Sequence, residues 1–203
     1  MKDFYKIILG SSEVIWSIKL KEEEFKINFP VREVHFPVQI HSQKICFVEN
    51  LESFEADGLF TREKGVFVGV KTADCVPLMV SHKKFVGALH CGWKGLSKGI
   101  LENLKKIVEG EGANLKECNY FLGPSIGFCC YFVKEDVGDL FPEFFKGGKL
   151  DLKGIILNFL IKNGVSPVNI ILDKTCTFCE KYLPSHRRER ASGRILTGIF
   201  RKK

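Results

Sequence analysis

The sequence predicts an α+β fold: a mixed β-sheet core covered by helices, in a single compact domain over residues 1–203. Three observations carry this. Strand-like segments crowd the first third of the chain, helical periodicities alternate with strands after it, and no repeat or linker-like tract divides it. A chain of 203 residues with 45% hydrophobic content and 18 Phe can bury a substantial core without disulfide staples.

FYKIILG and VIWSIKL read as strands, because aromatic and β-branched residues gather on either side of Gly10, Ser11 and Ser12. KICFVEN is a third, EADG makes a turn, and GVFVGVKT is so continuously apolar that burial on both faces is expected. VPLMV and FVGALH form a hairpin with its tip centred between His82 and Lys83. Leu96, Ile100, Leu101, Leu104, Ile107 and Val108 then recur at helical spacing, predicting an amphipathic helix from about Gly95 to Val108. In LDLKGIILNFLIKNG, Leu152, Ile155, Ile156, Phe159 and Leu160 form a second helical stripe that Gly164 stops. VNIILDKT and RILTGIF read as late strands.

The formal charge of +7 favours anionic ligands, but a basic balance is common among soluble enzymes and no nucleic-acid partner is expected. No apolar run reaches the ~18 residues of a membrane-spanning helix. Asp3 and Lys6 interrupt any signal-peptide core. The eight cysteines lack the spacing of a disulfide framework, so a reducing cytoplasm is expected. Composition leaves the oligomeric state open.

Chemistry concentrates around KTADCVPLMVSHKKFVGALHCGWKG. With the tip between His82 and Lys83, Cys75 opposes His90, and directly opposed Cβ atoms stand about 4.5–5.5 Å apart. That separation suits two ligands of one metal ion, whereas a one-residue slip would part them. Two readings stand at this point. Cysteine and histidine occur often in cores, while a shared metal calls for a third ligand. His41 in VQIHSQKI is the best placed histidine; His82 sits at the tip, and His35 and His186 stay open. Gly92, Lys94 and Gly95 precede the helix as a phosphate subsite or an ordinary glycine turn. Asp74 either orients His90 or His41 or forms a turn. Arg187 and Arg188 supply charge or a solvated surface. Cys176 and Cys179 of CTFC lack a second pair of suitable spacing, since Cys129 and Cys130 are adjacent, and read as buried or incidental thiols.

VQIHSQKI, EADGLFT, KTADCVPLMV, ALHCGWKGL, LGPSIGFCCYFV and CTFCEKYLPSHRRERASGR, in that order from about residue 38 to residue 194, together resemble the purine nucleoside phosphorylase / polyphenol oxidase (laccase-domain) family. The resemblance implies that His41, Cys75 and His90 bind a zinc ion through three ligands, as a catalytic zinc requires. It implies phosphorolysis of adenosine, inosine and S-methyl-5′-thioadenosine, giving the free base and ribose 1-phosphate or its 5-methylthio form, and deamination of adenosine. Purine nucleosides and phosphate are then the partners, with Asp74 and Lys94 as catalytic candidates and Gly92, Lys94 and Gly95 as phosphate-binding ones. Copper-dependent phenol oxidation and a non-catalytic, metal-stabilised binding module are the alternatives. Lys94 departs from the family's Arg and loses the guanidinium fork. Ser42 stands for a Gly. Ser125 stands for a frequent Cys, so a thiol there is dispensable.

Overall fold

The computed structural model describes residues 4–50, 55–190 and 193–202. Ala191 and Ser192 of the last motif lie outside them. In chain order the elements are β1 (Tyr5–Leu9), β2 (Ser12–Ser17), α1 (Glu22–Asn28), β3 (Glu33–His35), β4 (Ile45–Phe47), β5 (Gly58–Thr61), β6 (Val66–Thr72), β7 (Val76–Ser81) and β8 (Val86–Cys91). There follow α2 (Trp93–Ser97), α3 (Ile100–Gly110), β9 (Asn119–Leu122), α4 (Glu135–Gly138), β10 (Phe145–Lys146), β11 (Lys149–Leu150), α5 (Leu152–Lys162), β12 (Ile170–Leu172), α6 (His186–Glu189) and β13 (Ile195–Arg201). No helix among the described residues is long and apolar enough to cross a membrane.

The α+β class holds, with two large mixed sheets in place of one. One sheet runs β1-β2-β13-β6-β3 and the other β12-β9-β7-β8-β5-β4. Each is antiparallel in its middle and gains parallel pairing toward an edge, at β3–β6 in the first and at β4–β5 and β12–β9 in the second. Their inner faces meet through Val14, Val68, Val70 and Ile199 against Leu59, Met79, Val86, Ala88 and Phe121. On the outer face of the six-stranded sheet, Leu78, Leu89 and Tyr120 pack with Leu104 and Val108 of α3 and Ile156 and Leu160 of α5. On the outer face of the five-stranded sheet, Phe25 of α1 packs with Phe29, Phe36, Phe67 and Phe200. Period-two alternation sends Phe67 outward and Val68 inward, so β6 is buried on both sides as its composition predicts.

Two local expectations shift. The helix expected from Gly95 to Val108 is broken at Gly99, whose φ of +92° suits glycine and ends α2 before α3 begins. The β7–β8 hairpin pairs Pro77 with His90 and Ser81 with Val86. His82 N–H donates to Phe85 O at 3.0 Å, and this wider turn moves the tip one residue on, between Lys83 and Lys84. Cys75 therefore continues opposite Gly92 rather than His90.

Candidate metal centre

The displaced register keeps Cys75 and His90 on one face, because the pairing has moved by an even number of residues. They are diagonal neighbours, continuing the face of Met79 and Ala88 beyond the end of the inter-sheet core. Across from His90 on its other side is Asp57, just before β5: β5 pairs Gly58 with Leu89, and His90 N–H donates to Asp57 O at 2.7 Å.

Asp57 is fully buried, and its carboxylate organises the centre. It accepts from Ile40 N–H (3.2 Å), His41 N–H (3.1 Å), Ser42 N–H (2.6 Å) and Ser42 Oγ (2.9 Å), so the loop carrying His41 wraps around it. His41 itself has φ +57°, a left-handed conformation that few non-glycine residues adopt. Asp57 Oδ1 also lies 2.8 Å from His90 Nδ1. An ionised carboxylate only accepts, so Nδ1 carries a proton and Nε2 is the nitrogen left to face a metal.

His41, Cys75 and His90 thus converge, with one ligand atom from each within 4.8 Å of the others. The two imidazoles meet edge to face at 4.8 Å between centroids. His90 is buried, Cys75 half-buried and His41 exposed, so one side of the trio opens to solvent. Burial opposes a charge on Cys75, yet His41 and His90 beside it bring the thiol down to about 7. Burial likewise opposes protonation of His90, but Asp57 and Cys75 raise it to about 9. Asp57 is lowered in spite of burial, chiefly by the His90 and Ser42 contacts. A sulfur that ionises near neutrality and two imidazoles form the donor set of three-ligand zinc sites. Cys91, one residue on, points into the opposite core and burial raises its thiol far above the ordinary range.

Gly92 serves this sulfur by being small: a Cβ there would stand 2.7 Å from Cys75 Sγ. A Cβ on Gly95 would come within 3.0 Å of Ser42 O, so α2 lies tight against the His41 loop. Lys94 is exposed, with its Nζ 5.7 Å from the Trp93 ring centre.

Asp74 does not reach either histidine through a hydrogen bond; Asp57 takes the orienting place considered for it. Asp74 has φ +92°, its carboxylate accepts from Thr177 Oγ1 (2.6 Å) and Arg187 N–H (2.7 Å), and its carbonyl accepts from Ile126 N–H (2.9 Å). It ties three distant segments beside Cys75. Asp57 escaped sequence reasoning although EADGLF carries a signal, an acid heading an apolar strand.

An open cleft of about 400 Å³ is lined by Trp93, Tyr131, Phe132, Lys134, Val137 and Arg187, and it connects to the centre through Trp93, which follows Gly92, and Arg187, whose N–H meets Asp74. The Arg187 guanidinium sits 5.1 Å over the Tyr131 ring and donates to Phe132 O. Burial, then the charge of Cys75, push the Tyr131 phenol up. Arg188, read as site charge or solvated surface, donates to the carbonyls of Thr177, Phe178 and Leu183. A smaller depression of about 290 Å³ at Ser81, His82, Lys83 and Glu117 lies at the hairpin's other end, roughly 20 Å away at ~3.3 Å per strand residue. The structure also gathers Cys129, Cys130, Cys176 and Cys179, which their spacing alone had set aside; adjacent cysteines on a turn can both face one partner.

A family model described as multi-copper polyphenol oxidoreductase laccase matches residues 17–202. A purine nucleoside phosphorylase of Aquifex aeolicus is 36% identical over 177 residues, 82% of this chain and 82% of that protein. Adenosine deaminase RL5, from an unknown prokaryotic organism, is 29% identical over 202 residues, covering 82% and 74%. The crystal structure of Bacillus licheniformis YfiH superposes with a TM-score of 0.79 at 28% identity, over 89% of this chain and 79% of that one. A Neisseria meningitidis DUF152 protein gives a TM-score of 0.82 at 24% identity with both chains fully covered, a likeness of fold. With the match running from the end of β2 to the end of β13, and a relative 36% identical over 82% of this chain, the chain belongs to the multi-copper polyphenol oxidoreductase laccase family.

Proposed function

We propose that this protein is a zinc-dependent purine nucleoside enzyme. It cleaves adenosine, inosine and S-methyl-5′-thioadenosine with phosphate, giving free base and the (5-methylthio)ribose 1-phosphate, and deaminates adenosine to inosine. The observation that supports this most is the juxtaposition of a three-donor centre, open on one side, with an aromatic and cationic cleft. The cleft's volume falls within the usual range for small-molecule sites. Relatives named purine nucleoside phosphorylase and adenosine deaminase support the same reaction classes.

In this reading His41, Cys75 and His90 hold the zinc, which supplies Lewis acidity and a water of lowered pKa. Asp57 fixes the His90 tautomer. Trp93 offers aromatic surface to the base, and Tyr131 backs Arg187. Lys94 and Arg187 are the cations offered to phosphate, with Gly92 and Gly95 shaping the backbone between Lys94 and the His41 loop. Asp74, whose two carboxylate oxygens are both engaged, acts as a positioning residue. We assign the protein to the cytoplasm, where eight thiols stay reduced.

The family description favours one alternative, copper-dependent phenol oxidation. One thiolate and two imidazoles suit mononuclear copper. The test is elemental analysis of wild type and Cys75→Ala, followed by assays of each with nucleoside plus phosphate. Loss of one equivalent of zinc with Cys75, and release of adenine or hypoxanthine only by wild type, are expected. Metal-replete protein that forms no free base and no inosine, or oxygen uptake with a phenol only when copper is bound, would overturn the reading.

A further inference from the structure

We propose a second metal site, a closed tetrathiolate centre formed by Cys129, Cys130, Cys176 and Cys179 that holds a zinc-like divalent cation and staples two loops behind the cleft. The four Sγ atoms all lie within 4.8 Å of one another. Cys179 is the hub, with its sulfur 3.4 Å from that of Cys130 and 3.9 Å from that of Cys129. Four sulfurs at about 2.3 Å from a tetrahedral zinc stand about 3.8 Å apart, so the observed separations surround the required value. They exceed the ~2.05 Å of a disulfide, and Cys179 favours neither neighbour decisively enough to choose a single bonded partner.

The backbone is built around the sulfurs. Ser125 and Cys176 form a parallel bridge, and Thr177 N–H donates to Ser125 O at 3.0 Å. Gly127 N–H donates to Cys176 Sγ at 3.2 Å, and the N–H groups of Phe178 and Cys179 face the same sulfur. Such N–H···S contacts stabilise the thiolate that a metal needs. Gly127 also leaves room, since a Cβ there would stand 3.1 Å from Cys129 Sγ and 3.4 Å from Cys176 Sγ.

Four protein sulfurs close a tetrahedral site, so its role is structural. Its two loops both reach Asp74, through Ile126 on one side and Thr177 on the other. Tyr131, next to Cys130, is the cleft wall under Arg187. The ion would therefore fix that wall relative to Cys75. The site itself stands whether or not the proposed reaction is right.

The test uses full-length protein purified under reducing conditions, loaded with zinc or with cobalt(II) as a spectroscopic probe. Wild type is expected to bind two equivalents, and Cys75→Ala and Cys176→Ser/Cys179→Ser one each. Cobalt-loaded Cys75→Ala should keep intense sulfur-to-cobalt charge-transfer bands of a tetrahedral tetrathiolate, and Cys129→Ser should weaken them. Should the double variant fail to fold, the Cys75→Ala and Cys129→Ser spectra decide. One equivalent in wild type that vanishes entirely in Cys75→Ala would overturn the proposal. So would mass spectrometry showing these cysteines bonded in pairs in freshly reduced, metal-exposed protein.

Discussion

Asp57→Asn tests the organisation of the metal centre with almost no change in volume. The amide replaces one accepting oxygen by a donating NH2, and the structure decides which. In the Oδ2 place, the NH2 would confront the N–H groups of Ile40 and Ser42, leaving both without an acceptor. Buried donors left unpaired cost about 1–3 kcal/mol each, roughly 2–6 kcal/mol together. In the Oδ1 place it confronts only His41 N–H and His90 Nδ1. His90 can relieve its share by moving its proton to Nε2, so one orphan remains at about 1–3 kcal/mol. The second arrangement wins, and it removes the lone pair that a metal needs. Loss of such an outer-shell partner typically weakens metal affinity 10–100-fold, about 1.4–2.8 kcal/mol. Competition with a chromophoric chelator measures the zinc Kd, and urea unfolding of the apo-protein measures the stability loss. A folded Asp57→Asn protein with unchanged Kd would refute the argument that this carboxylate sets the His90 tautomer.

Two further outcomes follow from the geometry. Gly92→Ala should fold, because φ −92° and ψ 167° suit alanine, yet its methyl would displace Cys75 Sγ; zinc affinity should fall at least tenfold, about 1.4 kcal/mol, with little change in the apo-protein's urea midpoint. Burial lowers Lys153 from 10.5 to about 8. The unfolded chain therefore binds more protons than the folded one between those values, and stability rises with pH across that window. Comparing urea midpoints of wild type and Lys153→Met at pH 8 and pH 10 should show a flatter dependence in the variant.

Much of the strand framework was legible because β6, β7, β8 and β13 are dense in β-branched and aromatic residues, a local property. Partition into two sheets was not. It depends on β13 slotting between β2 and β6, and nothing local to RILTGIF names those partners. The hairpin's strands could be read but its register could not, since a turn one residue further along satisfies the same apolar pattern. Gly99 carried the signal for the helix break, outweighed by an unbroken apolar stripe. At the centre, local spacing left packing and metal binding both open for Cys75 and His90. His41 joined them through the ordered motifs, and Asp57 emerged only when β5 was seen beside β8. The four clustered cysteines come from two segments far apart in the chain, so their meeting belongs to tertiary structure.

The central place of β13 bears on how the chain is made. During synthesis β2 and β6 leave the ribosome long before the strand that joins them, and contacts this remote in sequence form slowly. The six-stranded sheet has all its strands by residue 172, so it can assemble while its inner face, with Met79, Val86 and Phe121, still lacks a finished cover. A nascent or truncated chain lacking β13 would display that oily surface and two unpaired strand edges, making it a ready client for chaperones and a hazard for aggregation.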